Sequence, residues 1–149
     1  VAIGSVSKDI STCISWKSSK VKNWDDLVTK EFIASGQATG ADPDAFANMI
    51  RHLFNAPIKL VTGYPGASEM LLAVERGEAD GMAGLSWGYL KVARPGWVPE
   101  KKVDVQLQLG MTKAPDLPNV PSALDLVKDL HRSIEEFESE ARKKQLATK

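Results

Sequence analysis

Three short stretches of the chain carry the residue types that could do chemistry: SGQATGADP at 35–43, TGYPGAS at 62–68, and Gly84-Leu85-Ser86-Trp87-Gly88. The third matches G-x-S-x-G, the pattern of a hydrolase nucleophile elbow between a strand and a helix. A nucleophilic Ser86 would need a later histidine. His131 is the only one, with Asp104, Asp116, Asp125 or Asp129 to orient it. His131 falls within a long helical pattern and no H-G-G-G run precedes the serine, so a serine hydrolase is the alternative reading. The main reading is binding without reaction. Glycine lets backbone approach a ligand closely, and the free N–H groups of a first helical turn favour a carboxylate.

The elements around these stretches would bring them together. Ser11 to Trp16 reads as a strand, Asn23 as the N-cap of a short helix with Asp25 and Asp26 in its first turn, and Glu31 to Ala34 as a second strand. Asp42 and Pro43 predict a helix start, with Asp42 as its cap and Phe46, Met49, Ile50, Leu53 and Phe54 on one face. Ile58 to Val61 is a strand. Ser68 is expected to cap the next helix, Met70, Leu71 and Val74 to face inward, and Gly77 to end it. Ala79 to Ala83 is a small-residue strand, followed by a helix from Ser86 or Trp87 to Arg94. Val103 to Leu109 alternates apolar and polar residues and predicts a half-exposed strand. Repeated strand-helix order argues for an α/β fold, a mainly parallel sheet flanked by helices with one antiparallel crossing strand. The loops after parallel strands gather at one edge.

Composition narrows the function. Nineteen basic residues balance nineteen acidic ones in 149, so no positive field gathers nucleic acid or an anionic membrane. The single cysteine, Cys13, reads as a buried core residue. No metal-ligand spacing and no G-x-x-x-x-G-K-[ST] occurs, so no cofactor or metal is expected. The opening residues, from Val1, predict a processed chain or a fragment.

The chain divides in this reading into an α/β lobe over 1–111 and, over 112–149, a proline-rich crossing segment with an amphipathic helix. That helix is expected from Ser122, with Asp125 placed as in a capping box. Its narrow stripe of Val127, Leu130, Ile134, Phe137 and Ala141 needs a partner surface, and charge pairs such as Arg132 with Glu136 are expected along it. Packing on its own domain, docking on another domain, and self-association through the helix stay open, the last giving an interaction domain as a second alternative.

Taken in order, VKNWDDL, ATGADPD, LVTGYPGASEMLLAVERGEADG and VQLQLGMTKAPDLPNVPSALDL resemble the extracytoplasmic solute receptors of the tripartite tricarboxylate transporter family, the Bug receptors, over Ile3 to Leu126. The resemblance implies the second lobe of a type II periplasmic binding protein, non-catalytic, which closes by hinge motion over a small carboxylate and delivers it to membrane transporter subunits. It implies entry through Ser11 to Trp16 and exit through Val103 to Leu109. It also implies binding positions at Thr39, Gly40, Ala41 and Asp42, at Tyr64, Pro65 and Gly66, and at Ser86 and Trp87. Proline at 65 stands where many relatives have lysine, and relatives carry a small hydroxyl residue near Asp42. Both departures move the expected recognition onto backbone amides, with Asp42 mainly a cap.

Overall fold

The computed structural model describes residues 10–38, 40–110 and 112–147. Five strands form one sheet in the order β3-β2-β4-β1-β5, from β1 (Ser11–Trp16), β2 (Phe32–Ser35), β3 (Ile58–Val61), β4 (Gly81–Ser86) and β5 (Val103–Leu109). β2 is parallel to β3 and β4, whereas β1 is antiparallel to both β4 and β5. The single reversed strand is therefore β1, and the other four point their carboxyl ends to the same edge. The helices are α1 (Trp24–Thr29), α2 (Asp42–Phe54), α3 (Ala67–Glu75), α4 (Trp87–Ala93) and α5 (Ala123–Ala147).

Both faces of the sheet are covered, as a largely parallel sheet requires. Successive strand side chains point to opposite faces, so Cys13 enters a cluster with Leu27, Phe32, Phe46, Ile50 and Leu107, while Ile14 enters one with Met70, Leu71, Met82, Leu85 and Leu90. Burial pushes the Cys13 thiol up to about 12, which leaves it an inert core group. Gly81 marks the closest approach within the sheet. A Cβ there would stand 1.9 Å from the Ile14 carbonyl oxygen and 2.7 Å from the Phe32 ring, so no other residue fits.

Several sequence expectations need correction. β2 begins one residue later than expected, and β4 runs over 81–86 rather than 79–83, because Gly77 (φ 77°) ends the helical turn and residues 78–80 complete the connection. The N-cap of α2 is Ala41, not Asp42, and that of α3 is Gly66, not Ser68. Within α2, Phe46, Ala47 and Ile50 are buried but Leu53 is exposed. The largest correction concerns β5. Its glutamines were expected to face solvent, yet Gln106 and Gln108 are fully buried. Pairing with β1 steps from Cys13↔Leu107 to Ile14↔Val105, leaving Gln106 as the extra residue of a bulge, which breaks the alternation.

Gln108 in turn fastens the crossing segment. Its amide nitrogen donates to the carbonyls of Leu117 (2.9 Å) and Val120 (2.8 Å), and its oxygen accepts from Ala114 N (2.8 Å). Ala114 and Leu117 are buried in the second cluster, so the chain after β5 folds back on this same lobe.

Candidate functional site

At the carboxyl edge of the sheet the loops after β2 and β3 are tied together, whereas the expected third loop at 84–88 is absent, because β4 ends at Ser86 and α4 begins at Trp87. Gly36 N donates to Val61 O (2.8 Å), Gly63 N to Gln37 O (3.0 Å), and the Gln37 side-chain amide to Pro65 O (3.0 Å). This staple sets the start of α2 beside the start of α3. Neither helix has a side-chain cap, since Ala41 and Gly66 supply no side-chain acceptor. The first N–H groups of a helix have no intrahelical acceptor, so those of Ala67, Ser68 and Glu69 open onto the edge, and α2 adds those of Asp42 and Asp44. Pro43, early in α2, has none to offer. The other two short helices contrast with this pair. Asn23 caps α1 by accepting from Asp26 N (2.9 Å), and the Ser86 hydroxyl oxygen caps α4 by accepting from Tyr89 N (3.1 Å).

The expected contacts divide accordingly. Gly40 (φ 93°) and Ala41 lie in the loop entering α2, and Pro65 and Gly66 in the loop entering α3. Thr39 lies outside the described residues, and Asp42 is the first residue of α2. Tyr64 packs on the second core cluster and its hydroxyl lies 3.4 Å from Glu78, so the ring runs away from the edge. Burial, with the Glu78 charge and hydrogen bond behind it, raises the Tyr64 pKa. Trp87 is 4% exposed, and its indole N–H donates to Asp116 Oδ2 (3.0 Å), which also accepts from Lys91 (3.2 Å). Burial is the strongest single influence on Asp116 and pushes its pKa up. The hydrogen bonds from Trp87 and Lys91 together outweigh it and leave the pKa lowered.

Four further residues belong to this edge and escaped sequence reasoning. Asp44 is buried and accepts from Gln37 N (2.8 Å), while Ser68 Oγ and the Tyr89 hydroxyl stand 3.4 Å apart between the starts of α3 and α4. The signal for Asp44 was an acid one residue past a helix-starting proline and next to a glycine loop. A Cβ on Gly36 would come within 2.6 Å of its carboxylate. No comparable local signal exists for the Ser68 and Tyr89 pair, which only the packing of α3 and α4 brings together.

The electrostatics of the edge are nearly balanced. None of the stretches 35–43, 62–68 and 84–88 contains lysine or arginine, and both open helices carry acids in the first turn, Asp42 and Asp44 in α2 and Glu69 in α3. A helix N-terminus gives an anion about 0.3–1 kcal/mol. Repulsion from one carboxylate at about 6 Å is ~0.7 kcal/mol in a water-like medium. Two helix ends, about 0.6–2 kcal/mol together, thus do little more than offset the acids beside them.

Ser86 shows none of the features of an activated nucleophile. Its backbone is unstrained (φ −59°, ψ 125°), whereas a nucleophile elbow is a strained turn. His131 is on α5, 3.2 Å from Glu135 of the same helix. A cleft of about 480 Å³ is at the opposite edge, lined by Ser18, Lys20, Lys30, Glu31, Ile33 and Asp80. Asp80 is occupied there in accepting from Ile33 N (2.9 Å), and ligands of open α/β sheets bind at the other, carboxyl edge. At the carboxyl edge a hollow of about 260 Å³ is lined by Ser11, Ala45, Phe46, Met49 and Leu109.

No family model matches the chain, and no curated protein matches it. Solved structures do. An R. palustris protein with adipate matches with a TM-score of 0.63 at 16% identity, over 79% of this chain and 40% of that one. MatC from Rhodopseudomonas palustris with bound malate matches with a TM-score of 0.62 at 18% identity, over 79% and 40%. The periplasmic binding protein BugD matches with a TM-score of 0.61 at 16% identity, over 76% and 38%. The chain therefore spans about two fifths of the length of these proteins. At such identities the likeness establishes the fold alone, an α/β sheet flanked by helices that is shared with part of these proteins, in agreement with the α/β expectation.

Proposed function

We propose that this chain is the second lobe of a Bug-type extracytoplasmic solute receptor and contributes half of a cleft for a small carboxylate, without catalysis. The observation that carries the reading is the pair of helix starts, α2 and α3, left without side-chain caps and stapled side by side through Gln37 and Pro65. In this reading Gly40, Ala41, Asp42, Pro65 and Gly66 act through backbone, with Thr39 beside them. Ser86 and Trp87 shape the neighbouring wall, and Tyr64 braces its loop. The fold shared with proteins holding adipate and malate supports a carboxylate as the ligand.

The start of β1 and the end of β5 lie side by side at the same edge, with Ser11 opposite Leu109. A second lobe reached through these strands would face the open helix ends. Ligand contacts made only in the closed arrangement would favour closure, and delivery to membrane transporter subunits would follow. Because attraction and repulsion at this edge nearly cancel, the chain alone holds a carboxylate weakly, with dissociation constants in about the millimolar range or above.

The test is Ala67→Pro. Proline is tolerated in the first helical turn, and the extended Gly66 before it suits the change, so one edge N–H disappears while charge and fold persist. Affinity for malate or adipate, read by NMR titration, is expected to fall several-fold with an unchanged urea midpoint. Equal affinity in the two proteins would remove α3 from the site.

A further inference from the structure

α5 is 25 residues long, about 37 Å at the usual rise, and only Ala123 in it is buried. Leu126 and Leu130 are half-buried, and from His131 to Ala147 every residue is exposed. The exposed stretch keeps its apolar stripe, with Ile134 49% and Phe137 74% accessible. A helix this long, standing free of the lobe, is marginal in water unless the stripe is covered. Among the described residues its ion pairs are Asp125 with Lys113 of the crossing segment (4.0 Å), Arg132 reaching back to Asp129 (3.9 Å) in place of the expected Arg132 with Glu136, and His131 with Glu135 (3.2 Å) when the imidazole is protonated.

We infer that the surface covering the stripe is α5 of a second copy, running antiparallel, with Ile134 of each helix against Phe137 of the other. The charge pattern selects this partner and this register. The stripe of Val127, Leu130, Ile134, Phe137 and Ala141 has the 3-4 spacing of a two-helix seam, flanked on one side by Leu124, His131, Glu138 and Gln145 and on the other by Leu126, Ser133, Glu140 and Ala147. In an antiparallel pair each flank meets the same flank of the copy. With Ile134 opposite Phe137, Leu130 meets Ala141, His131 meets Glu138 twice by symmetry, and Ser133 meets Glu140. No like charges face each other, and Lys144 lays its stem along Val127.

The neighbouring registers fail on the same residues. A slip of seven residues one way sets Glu138 against Glu138 and Glu140 against Glu140. A slip the other way sets His131 against His131 and drives the helix end of the copy past Leu124 into the lobe, where Ala123 is already packed. A parallel pair would place Lys144 on Lys144 in the seam and crowd both lobes at one end. In the antiparallel pair the two lobes sit at opposite ends of the helices and each carboxyl edge belongs to its own copy. This inference is independent of the ligand reading.

The experiment uses the 149-residue chain. Sedimentation at about 100 μM, where an interface of ~10 μM affinity is mostly formed, is expected to give a dimer. Phe137→Asp should give a monomer with the urea midpoint of the lobe unchanged, since Phe137 is exposed in the single chain. Register is read from two exposed single-cysteine additions, His131→Cys and Glu138→Cys, with Cys13 buried and unreactive. Under mild oxidation an equimolar mixture should crosslink as the mixed species, and neither protein alone. Crosslinking of either variant with itself, no crosslinking in the mixture, a monomer throughout the concentration range, or a dimer that survives Phe137→Asp would each overturn the inference.

Discussion

Asp116 illustrates how one side chain joins separate parts of the lobe. It is half exposed, yet it accepts from the indole of buried Trp87 and from Lys91, and so ties the crossing segment to the start of α4 beside the candidate site. Its folded pKa is lowered, so the stability it adds is present above the unfolded value of about 3.9 and is lost as pH falls through the lower folded value. Between pH 2 and 5 the Asp116→Asn protein should therefore show a flatter loss of stability than the parent, measured as urea midpoints. Parallel curves would mean that the carboxylate contributes nothing specific. At this scale the sequence was partly readable. Asn23 declared itself as a cap through its position before a helical pattern, whereas Ser86 was read only as a possible first residue of α4 and proves to be its cap. Asp42 was misassigned because an acid before proline looks like a cap, whereas the extended backbone of Ala41 takes that place.

Elements were more legible than their edges. Each strand and helix read from periodicity exists, since a buried stripe or an alternating run leaves its period in the chain. Burial of β5 was not legible, because a segment far along the sequence covers it and a bulge at Gln106 shifts its faces. The Gln106 oxygen is buried without a hydrogen-bond partner, in contrast to the fully used amide of Gln108. Gln108→Ala would leave the Ala114 N–H and the part-buried Val120 carbonyl without this partner and the Leu117 carbonyl with only the long bond from Val120 N (3.4 Å), for a loss of about 3 kcal/mol. It should also raise amide hydrogen exchange across residues 112–122 while leaving β2 and β3 protected. Exchange that rises equally everywhere would show instead that Gln108 supports the whole lobe rather than this segment.

For the whole molecule, the topology explains why the site lies where it does. Reversing β1 brings the start of that strand and the end of β5 to the edge where β2, β3 and β4 end. The gathering of strand ends at one edge was predictable from strand-helix order, but the direct passage of β4 into α4 and the staple between the other two loops required the tertiary structure. The central claim is that a carboxylate rests on the open starts of α2 and α3. Backbone amide shifts of the 149-residue chain during a malate or adipate titration test it most directly. The account predicts that Gly40 to Ala45, apart from Pro43, and Gly66 to Met70 move together, saturating in about the millimolar range. Shifts confined to the opposite cleft around Lys20, Lys30 and Asp80, or no saturable shift at either helix start, would contradict it.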